Sequence, residues 1–289
     1  MEKPSNRAIL YPIAAYILWG LLPIYWKQLK AIPAGDILAH RIFWSFLFLA
    51  GVITLAKRWK EFGLAFKKKR TTLAIVAASI LISVNWLIYI WAVNNNHIVE
   101  ASLGYYINPL LTILLGSVVL REKRDRWQTL SIILAFSGVA YFTYQFGSLP
   151  WVAITLSVSF ALYGLVKKMS SLNPLTGLTA ETLMVAPFAL GYLIFQANHT
   201  TTYQELPLAT ILLVVLTGVA TSVPLLLFAQ GAKRVSLTTL GFVQYLSPSI
   251  SLIIGVFIYH EPFTPAHKIC FALIWTALAI YSLTRKKRG

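Results

Sequence analysis

The sequence predicts an all-α integral membrane protein with ten transmembrane helices, arranged as two inverted-topology repeats of five helices. Three observations support this prediction. Hydrophobic residues make up 57% of the chain and charged residues only 12%, whereas about a quarter of the residues in soluble domains are charged. The chain divides into ten apolar runs of roughly 20 residues, the length that crosses a bilayer as a helix. One motif occurs twice, in two of these runs.

The ten runs follow one another with short connections, which suits a compact helical bundle. They lie at about 8–29, 35–57, 71–93, 99–120, 127–146, 149–168, 175–196, 206–230, 235–258 and 266–284. The first run is long and has no small-residue cleavage site, so we expect a transmembrane helix there and not a removed signal peptide. The two repeats are predicted at 1–146 and 147–289, and together they form one transmembrane domain.

Positive charge is concentrated in the connections on one side of the predicted bundle. Of the 25 Lys and Arg residues, the exceptions are Lys27, Lys30, Arg41 and Lys268. The positive-inside rule places this basic side in the cytoplasm, and with it both termini. The net charge of +16 is therefore interpreted as a topology signal, and no nucleic-acid partner is expected.

The repeated motif is a tyrosine followed at fixed spacing by a proline, a glycine and a glutamate. It occurs as Tyr106, Pro109, Gly116 and Glu122, and again as Tyr245, Pro248, Gly255 and Glu261. A proline inside an apolar helix removes a backbone hydrogen bond, which membranes tolerate where the freed carbonyl lines a cavity or meets another helix. The runs are five helices apart, so the copies point in opposite directions, as in many secondary transporters. We expect the two glutamates to act as loop or cap partners.

Polar and aromatic residues outline a candidate substrate cavity near the bilayer midplane. The candidate substrate-binding residues are Trp19, Asn85, Trp86, Tyr89, Tyr105, Tyr106, Asn108, Thr221, Gln244 and Tyr245. Those of the third helix share one sector and are expected to face those of the fourth, with Trp19 closing the wall. The alternative for Asn85 is an interhelical hydrogen bond. Rings, hydroxyls and amides without a fixed charge favour neutral or zwitterionic, partly apolar substrates.

A second set of residues is predicted to gate the path or to hold the helices together. It comprises Pro23, Asp36, His40, Arg41, Pro109, Gly116, Glu181, Pro248 and Gly255. Asp36 and His40 are four residues apart and can meet on one helix face. Arg41 lies about one turn inside the second helix and must find a partner or water. A buried anchoring network, an outer gate and a contact for an anionic substrate all remain open here.

Several segments spread along the chain carry a family resemblance. They are 19–27, 40–45, 85–93, 102–109, 160–164, 177–181 and 241–248. The chain resembles the EamA-type families of the drug/metabolite transporter superfamily, and within them the RarD branch, whose name is tied to chloramphenicol sensitivity. The resemblance implies ten helices around a central cavity. It also implies an ATP-independent exporter of small amphipathic metabolites or drugs, working by alternating access in the bacterial cytoplasmic membrane.

The absence of several motifs excludes some classes of function. The chain has no phosphate-binding Gly-rich loop with lysine and no His-Glu-x-x-His, so neither an ATP motor nor a metal site is predicted, and no cofactor is expected. A single cysteine, Cys270, excludes an intrachain disulfide. The alternatives are a membrane-embedded lipid-modifying enzyme and a non-transporting sensor subunit. The expected partners are a small-molecule substrate and the lipid bilayer, with the protein as a monomer or weak homodimer.

Overall fold

The computed structural model describes residues 9–119, 121, 126–170, 172–199, 206–232 and 243–286, and the regular structure within these ranges is helical. The helices are α1 Leu10–Gln28, α2 Ala34–Leu55, α3 Trp59–Ala65, α4 Lys69–Asn94, α5 Ile98–Val119, α6 Arg126–Phe146, α7 Trp151–Met169, α8 Pro174–His199, α9 Leu208–Ala232, α10 Leu246–Ile253 and α11 Pro265–Lys286. A π-helical turn, Ile254–Ile258, extends α10. Each predicted apolar run thus contains a described helix.

The lengths and compositions of these helices identify a multi-pass membrane protein. Six of them, α2, α4, α5, α7, α8 and α9, are long and apolar enough to cross a bilayer. Large apolar side chains such as Phe188 and Phe257 lie on the outer surface of the bundle, where lipid would cover them. The full set of ten spans, their inverted repeat and the cytoplasmic location of the termini remain predictions.

Carboxylates cap two of the helices and tie distant segments together. The Glu261 carboxylate accepts hydrogen bonds from the Ile98 and Val99 amides at 2.9 and 2.8 Å, at the first turn of α5. Burial raises the pKa of the Glu261 carboxyl above its usual value, while the two amides act in the opposite direction. The Glu100 carboxylate accepts from the Val152 amide at the start of α7. Glu261 is thus a cap, as predicted, whereas Glu122 lies outside the described residues.

Several segments that connect successive helices lie at the same end of the bundle. Lys27, at the end of α1, donates to Asn96 in the α4–α5 turn at 2.6 Å. Its ammonium also lies 5.1 Å from the ring of Tyr259, which follows α10. Glu261 joins the same end through α5. We call this group of connections the α1–α2 end of the bundle; the topology prediction places it outside the cell.

The segment between α2 and α4 differs from its predicted form as a basic loop. Residues Trp59–Ala65 form the short helix α3, in which Phe62 and Ala65 are buried. These two residues pack in one apolar cluster with Ile53 of α2 and Ala180 of α8. The rings of Trp59, Phe62 and Phe66 contact one another in succession. This packing stabilises a segment that is too short to be helical alone.

Helix pairing follows a pattern that occurs twice. Helix α7 packs against both α4 and α5, and α1 packs in the same way against α9 and α10. Helix α2 packs on α9, and α8 packs on α4; α2 with α8, and α6 with α11, form the remaining large contacts. Exchanging each helix for its equivalent in the other half (α1 with α7, α2 with α8, α4 with α9, α5 with α10 and α6 with α11) leaves this pattern of pairs unchanged.

The two proline motifs differ in local structure. Pro109 lies inside the continuous helix α5, as predicted. By contrast, a turn at Gln244 and Tyr245 precedes α10, so Pro248 occupies the first turn of a new helix. Amides of a first turn have no intrahelical acceptor, so a proline costs little there. The second copy is therefore interrupted before its proline, and the expectation of a mid-helix kink is wrong for Pro248 in the described segment.

Candidate functional site

The two copies of the tyrosine–proline motif meet inside the bundle. The rings of Tyr106 on α5 and Tyr245 before α10 stack with centroids 6.1 Å apart and planes 14° apart. The Tyr106 hydroxyl lies 2.5 Å from the Ser249 hydroxyl. Gly255 allows close approach nearby, because a Cβ there would lie 3.2 Å from the Ile98 side chain. The motifs therefore form a direct contact between the first and second halves of the chain.

Tyr106 does not face the third-helix residues that were expected to oppose it. Its ring packs edge-on against Phe271 and Trp275 of α11, with centroids 5.7 and 6.2 Å away. Its neighbour Tyr105 contacts Tyr89 of α4 instead, at 5.7 Å. Consecutive residues of a helix point about 100° apart, so the two tyrosines cannot line the same wall.

Asn85 is fully engaged between helices. Its Nδ2 donates to the Leu156 carbonyl and to Ser159 Oγ of α7, each at 2.9 Å. Its Oδ1 accepts from the Tyr105 hydroxyl at 3.1 Å. Both amide protons are used, so Asn85 has no donor left for a substrate in this conformation. Two roles were open for Asn85, a substrate contact and an interhelical hydrogen bond. The structure shows the interhelical hydrogen bonds.

Arg41 of α2 is a buried cation held by aromatic rings. Its side chain is 3% exposed. The guanidinium Cζ lies 4.1 Å from the Trp86 ring centroid and 5.0 Å from that of Trp26. The side chains of Tyr25, Tyr89 and Tyr105 lie near the guanidinium, and the Tyr25 ring packs edge-on against Trp26 with centroids 4.9 Å apart. We call these five aromatic side chains the Arg41 cage.

The guanidinium has donors that the cage leaves unused. Among the residues described, Arg41 Nε and Nη1 have no hydrogen-bond acceptor, and neither does the indole Nε1 of Trp26. Burying a charge costs several kcal/mol, and each desolvated cation–π contact returns only about 2 kcal/mol. An acceptor that carried negative charge would therefore stabilise this cluster further.

The depth of Arg41 also differs from the expectation of one helical turn. Arg41 is the eighth residue of α2, which begins at Ala34. That position lies about 10 Å along the helix axis, or roughly two turns. A charge is thus present well inside the bundle, about one turn deeper along α2 than the sequence predicted.

Asp36 and His40 occupy the same helix nearer its start. The Asp36 carboxylate accepts hydrogen bonds from the Tyr192 hydroxyl at 2.7 Å and from Gln196 Nε2 at 3.3 Å. Asp36 also interacts electrostatically with His40, as their spacing predicted. These contacts anchor the first turn of α2 to the last turns of α8. The Asp36 carboxylate thus belongs to a network between α2 and α8.

Glu181 is the centre of a polar cluster at the opposite end of the bundle. Its carboxylate accepts from Lys167 Nζ at 2.6 Å and from the Tyr163 hydroxyl at 3.0 Å, both on α7. Its main-chain carbonyl accepts from Ser79 of α4 at 3.0 Å. The buried carboxylate is therefore paired, and the cluster joins α4, α7 and α8.

Trp19 lines an aromatic contact between α1 and α9. Its ring lies 5.2 Å from Tyr16 and 5.8 Å from Phe228. Beside it a groove of about 290 Å³ runs between the two helices, near Pro23 of α1. The groove is lined by Leu18, Leu21, Leu22, Tyr25, Val219, Ala220, Val223 and Pro224.

Four predicted residues lie away from these contacts. Thr221 is buried in α9, and its hydroxyl has no partner in the described part of the chain; the same holds for Asn108 Oδ1 on α5. Gln244 lies in the turn before α10. Gly116 is buried in α5. The structure therefore does not gather all ten predicted substrate residues into one site.

Sequence reasoning assigned no site role to several residues of these clusters. Trp26 was left out of both sets of candidate residues, and Lys167 was interpreted only as part of the topology signal. Both residues were considered one helix at a time, whereas the partners Arg41 and Glu181 come from other helices. A charged residue inside a membrane helix needs a partner. This requirement is the signal that could have predicted contacts from other helices to Arg41 and Glu181.

Comparison with known proteins extends this description. The model of the EamA-like transporter family matches residues 6–144 and again 149–283. An uncharacterized transporter of Bacillus subtilis, YojE, is 47% identical, covering 98% of this chain and 96% of its own. Protein RarD of Escherichia coli is 40% identical, covering 96% and 95%. A chloramphenicol-sensitive protein RarD of Pseudomonas aeruginosa is 23% identical, covering 96% and 93%.

A solved crystal structure shares the fold. It superposes with a TM-score of 0.60 at 17% sequence identity, covering 98% of this chain and 99% of that one. At that identity the likeness concerns the fold alone. The family match extends over most of the chain, and six described helices can cross a bilayer. The chain therefore belongs to the EamA-like transporter family, as a multi-pass membrane transporter of the bacterial inner membrane.

Proposed function

We propose that the protein is an ATP-independent exporter of small amphipathic metabolites or drugs, with two inverted five-helix halves that alternate access to a site between them. The contact between the two proline motifs is the observation that carries this proposal. Tyr106 and Tyr245 hold equivalent places in the two motifs and stack on each other. A contact between equivalent residues is what a pseudo-twofold axis between two halves would produce.

Further support comes from the packing pattern and the family match. The helix pairs that join the two halves recur when each helix is exchanged for its equivalent in the other half. The family model matches the chain twice, once in each predicted half. The turn at Gln244 and Tyr245 lies within one of the ten apolar runs, and interrupted membrane helices form substrate sites in many transporters.

Uptake into proteoliposomes tests the transport function. The purified protein would be reconstituted and offered a panel of labelled amphipathic compounds, chloramphenicol among them, with and without a pH gradient. We expect saturable flux of some compounds above that of protein-free vesicles. No flux for the whole panel in either direction would contradict the proposal, and chemical conversion of a lipid would favour the enzyme alternative.

Cysteine labelling tests the proposed topology. The native Cys270 is buried and would be replaced by serine to give a cysteine-free background. Single cysteines at the exposed positions Asn95 and Ser148 should react with an impermeant maleimide from outside the cell. Cysteines at Lys68 and Lys168 should react only after permeabilisation. External labelling at Lys68 would contradict the inverted arrangement.

A further inference from the structure

We propose that the Arg41 cage recognises a carboxylate group, so that the transported molecules are amphipathic carboxylates. The inference rests on the proposed transport function and names the substrate class of its site. It differs from the sequence-based expectation of neutral or zwitterionic substrates, because it requires a carboxylate. The guanidinium Cζ lies 4.1 Å from the ring centroid of Trp86 and 5.0 Å from that of Trp26, and two of its buried nitrogens have no acceptor among the described residues.

The donors of the cage lack a matching acceptor. Arg41 Nε and Nη1 and Trp26 Nε1 are buried and without a partner among the described residues. The tyrosine hydroxyls nearby are already engaged: Tyr105 donates to Asn85, and Tyr25 donates to the Leu213 carbonyl. The unused groups are thus donors, and an anion with lone pairs is the ligand that satisfies them.

The charge of the cage selects a carboxylate over a phosphate. One guanidinium supplies one positive charge, and the hydroxyls around it carry none. A carboxylate neutralises that charge one to one, whereas a doubly charged phosphate would bring a second negative charge into a low-dielectric interior. The planar fork of arginine also matches the two oxygens of a carboxylate.

An apolar groove beside the cage can hold the apolar part of the ligand. Tyr25 belongs to the cage and also lines the groove between α1 and α9. Leu21 and Val219 line the same groove and continue it to the outer surface of the bundle. A molecule with its carboxylate at Arg41 can therefore place its apolar part in this groove, next to the lipid.

Binding of matched probes to the protein in nanodiscs tests the inference. The probes are 4-phenylbutyrate, its uncharged amide of nearly equal shape, and phenyl phosphate, with binding measured by calorimetry. We expect the carboxylate to bind at least 10-fold tighter than the amide, and the phosphate more weakly than the carboxylate. Equal binding of carboxylate and amide, or no binding of the carboxylate, would overturn the inference.

Variants test whether Arg41 causes the preference for the carboxylate over the amide. Arg41→Gln should abolish the preference for the carboxylate, and Arg41→Lys should retain part of it, since it keeps the charge and loses the fork. Lys30→Gln is the matched control: it removes an exposed positive charge at the same end of the bundle, and it should retain the full preference. A preference that survives in Arg41→Gln would overturn the assignment. If Arg41→Gln fails to fold, the comparison between Arg41→Lys and Lys30→Gln decides.

Flux measurements separate this inference from the proposed function. If neutral compounds are transported while carboxylates are ignored, the carboxylate site is wrong and the transporter stands. If no compound is transported although 4-phenylbutyrate binds through Arg41, the binding site stands and the transport proposal fails.

Discussion

Polar groups inside the bundle fall into two classes at the scale of single residues. Asn85 and Glu181 have their hydrogen-bonding atoms engaged by neighbouring helices. Arg41 retains unused donors within the described part of the bundle. Engaged groups hold helices together, whereas groups with unused capacity are available to a ligand. This difference separates structural from recognition residues better than burial alone, because all three side chains are buried.

Replacing Asn85 by leucine should therefore affect stability more than substrate affinity. The change keeps the approximate size of the side chain and leaves the Tyr105 hydroxyl without its acceptor. Interhelical hydrogen bonds in membranes average about 0.6 kcal/mol each and reach about 1.7 kcal/mol, so we expect a loss of about 1–2 kcal/mol. Thermal unfolding in detergent would measure it, with binding affinity unchanged.

Asn94→Leu provides the control for this prediction. Asn94 lies on the same helix, and its amide atoms have no hydrogen-bond partner among the residues that the structure describes. We expect little change in its unfolding temperature. A large loss of affinity in Asn85→Leu with normal stability would instead favour the original interpretation of Asn85 as a substrate contact.

Single-residue roles were the hardest feature to predict from the sequence. The polar and aromatic residues of the third helix were recognised as unusual, and so was Arg41. Their partners lie on other helices, α1, α5 and α7. Periodicity gives the face of one helix, but it does not give the rotation of its neighbour. Tyr105 and Tyr106 show the consequence, since adjacent residues contact different helices.

At the scale of helices, apolar run length predicted the described elements well. A bilayer imposes a narrow range of lengths, so span position can be derived from composition alone. The short helix α3 was missed because seven residues are too few for a periodic signal, and because the basic residues within and around it indicated a loop. Its stability comes from the packing of Phe62 against α2 and α8, which is a tertiary effect.

The proline of α5 gives a prediction at the same scale. Pro109→Ala should restore an intrahelical hydrogen bond to the Tyr105 carbonyl and straighten α5. We expect normal membrane insertion, unchanged or higher thermal stability, and slower transport in proteoliposomes. Pro187→Ala is the matched control, because Pro187 also lies inside a helix but is exposed on the bundle surface. Equal transport by both variants and the wild type would mean that the Pro109 kink serves packing only.

For the whole molecule, contacts between the two halves decide whether they can move relative to each other. At the α1–α2 end, Lys27 of the first half reaches Tyr259 of the second, and Glu261 caps α5 across the same boundary. At the other end, Ser79 contacts Glu181 across the halves. Alternating access requires that the contacts at each end form and break in turn.

Cross-linking the halves at one end should therefore stop transport. In the cysteine-free background, Lys27→Cys with Tyr259→Cys would be joined by a short bis-methanethiosulfonate, since the ammonium lies 5.1 Å from the ring centre. We expect flux to fall by more than 10-fold and to recover after reduction. The control pair, Lys27→Cys with Asn96→Cys, shares one cysteine and the same end, and its side chains are 2.6 Å apart. Because both of its residues lie in the first half, that cross-link should leave most of the flux. If both cross-links block transport equally, the moving boundary does not lie between the halves; if neither does, the α1–α2 end does not open during transport.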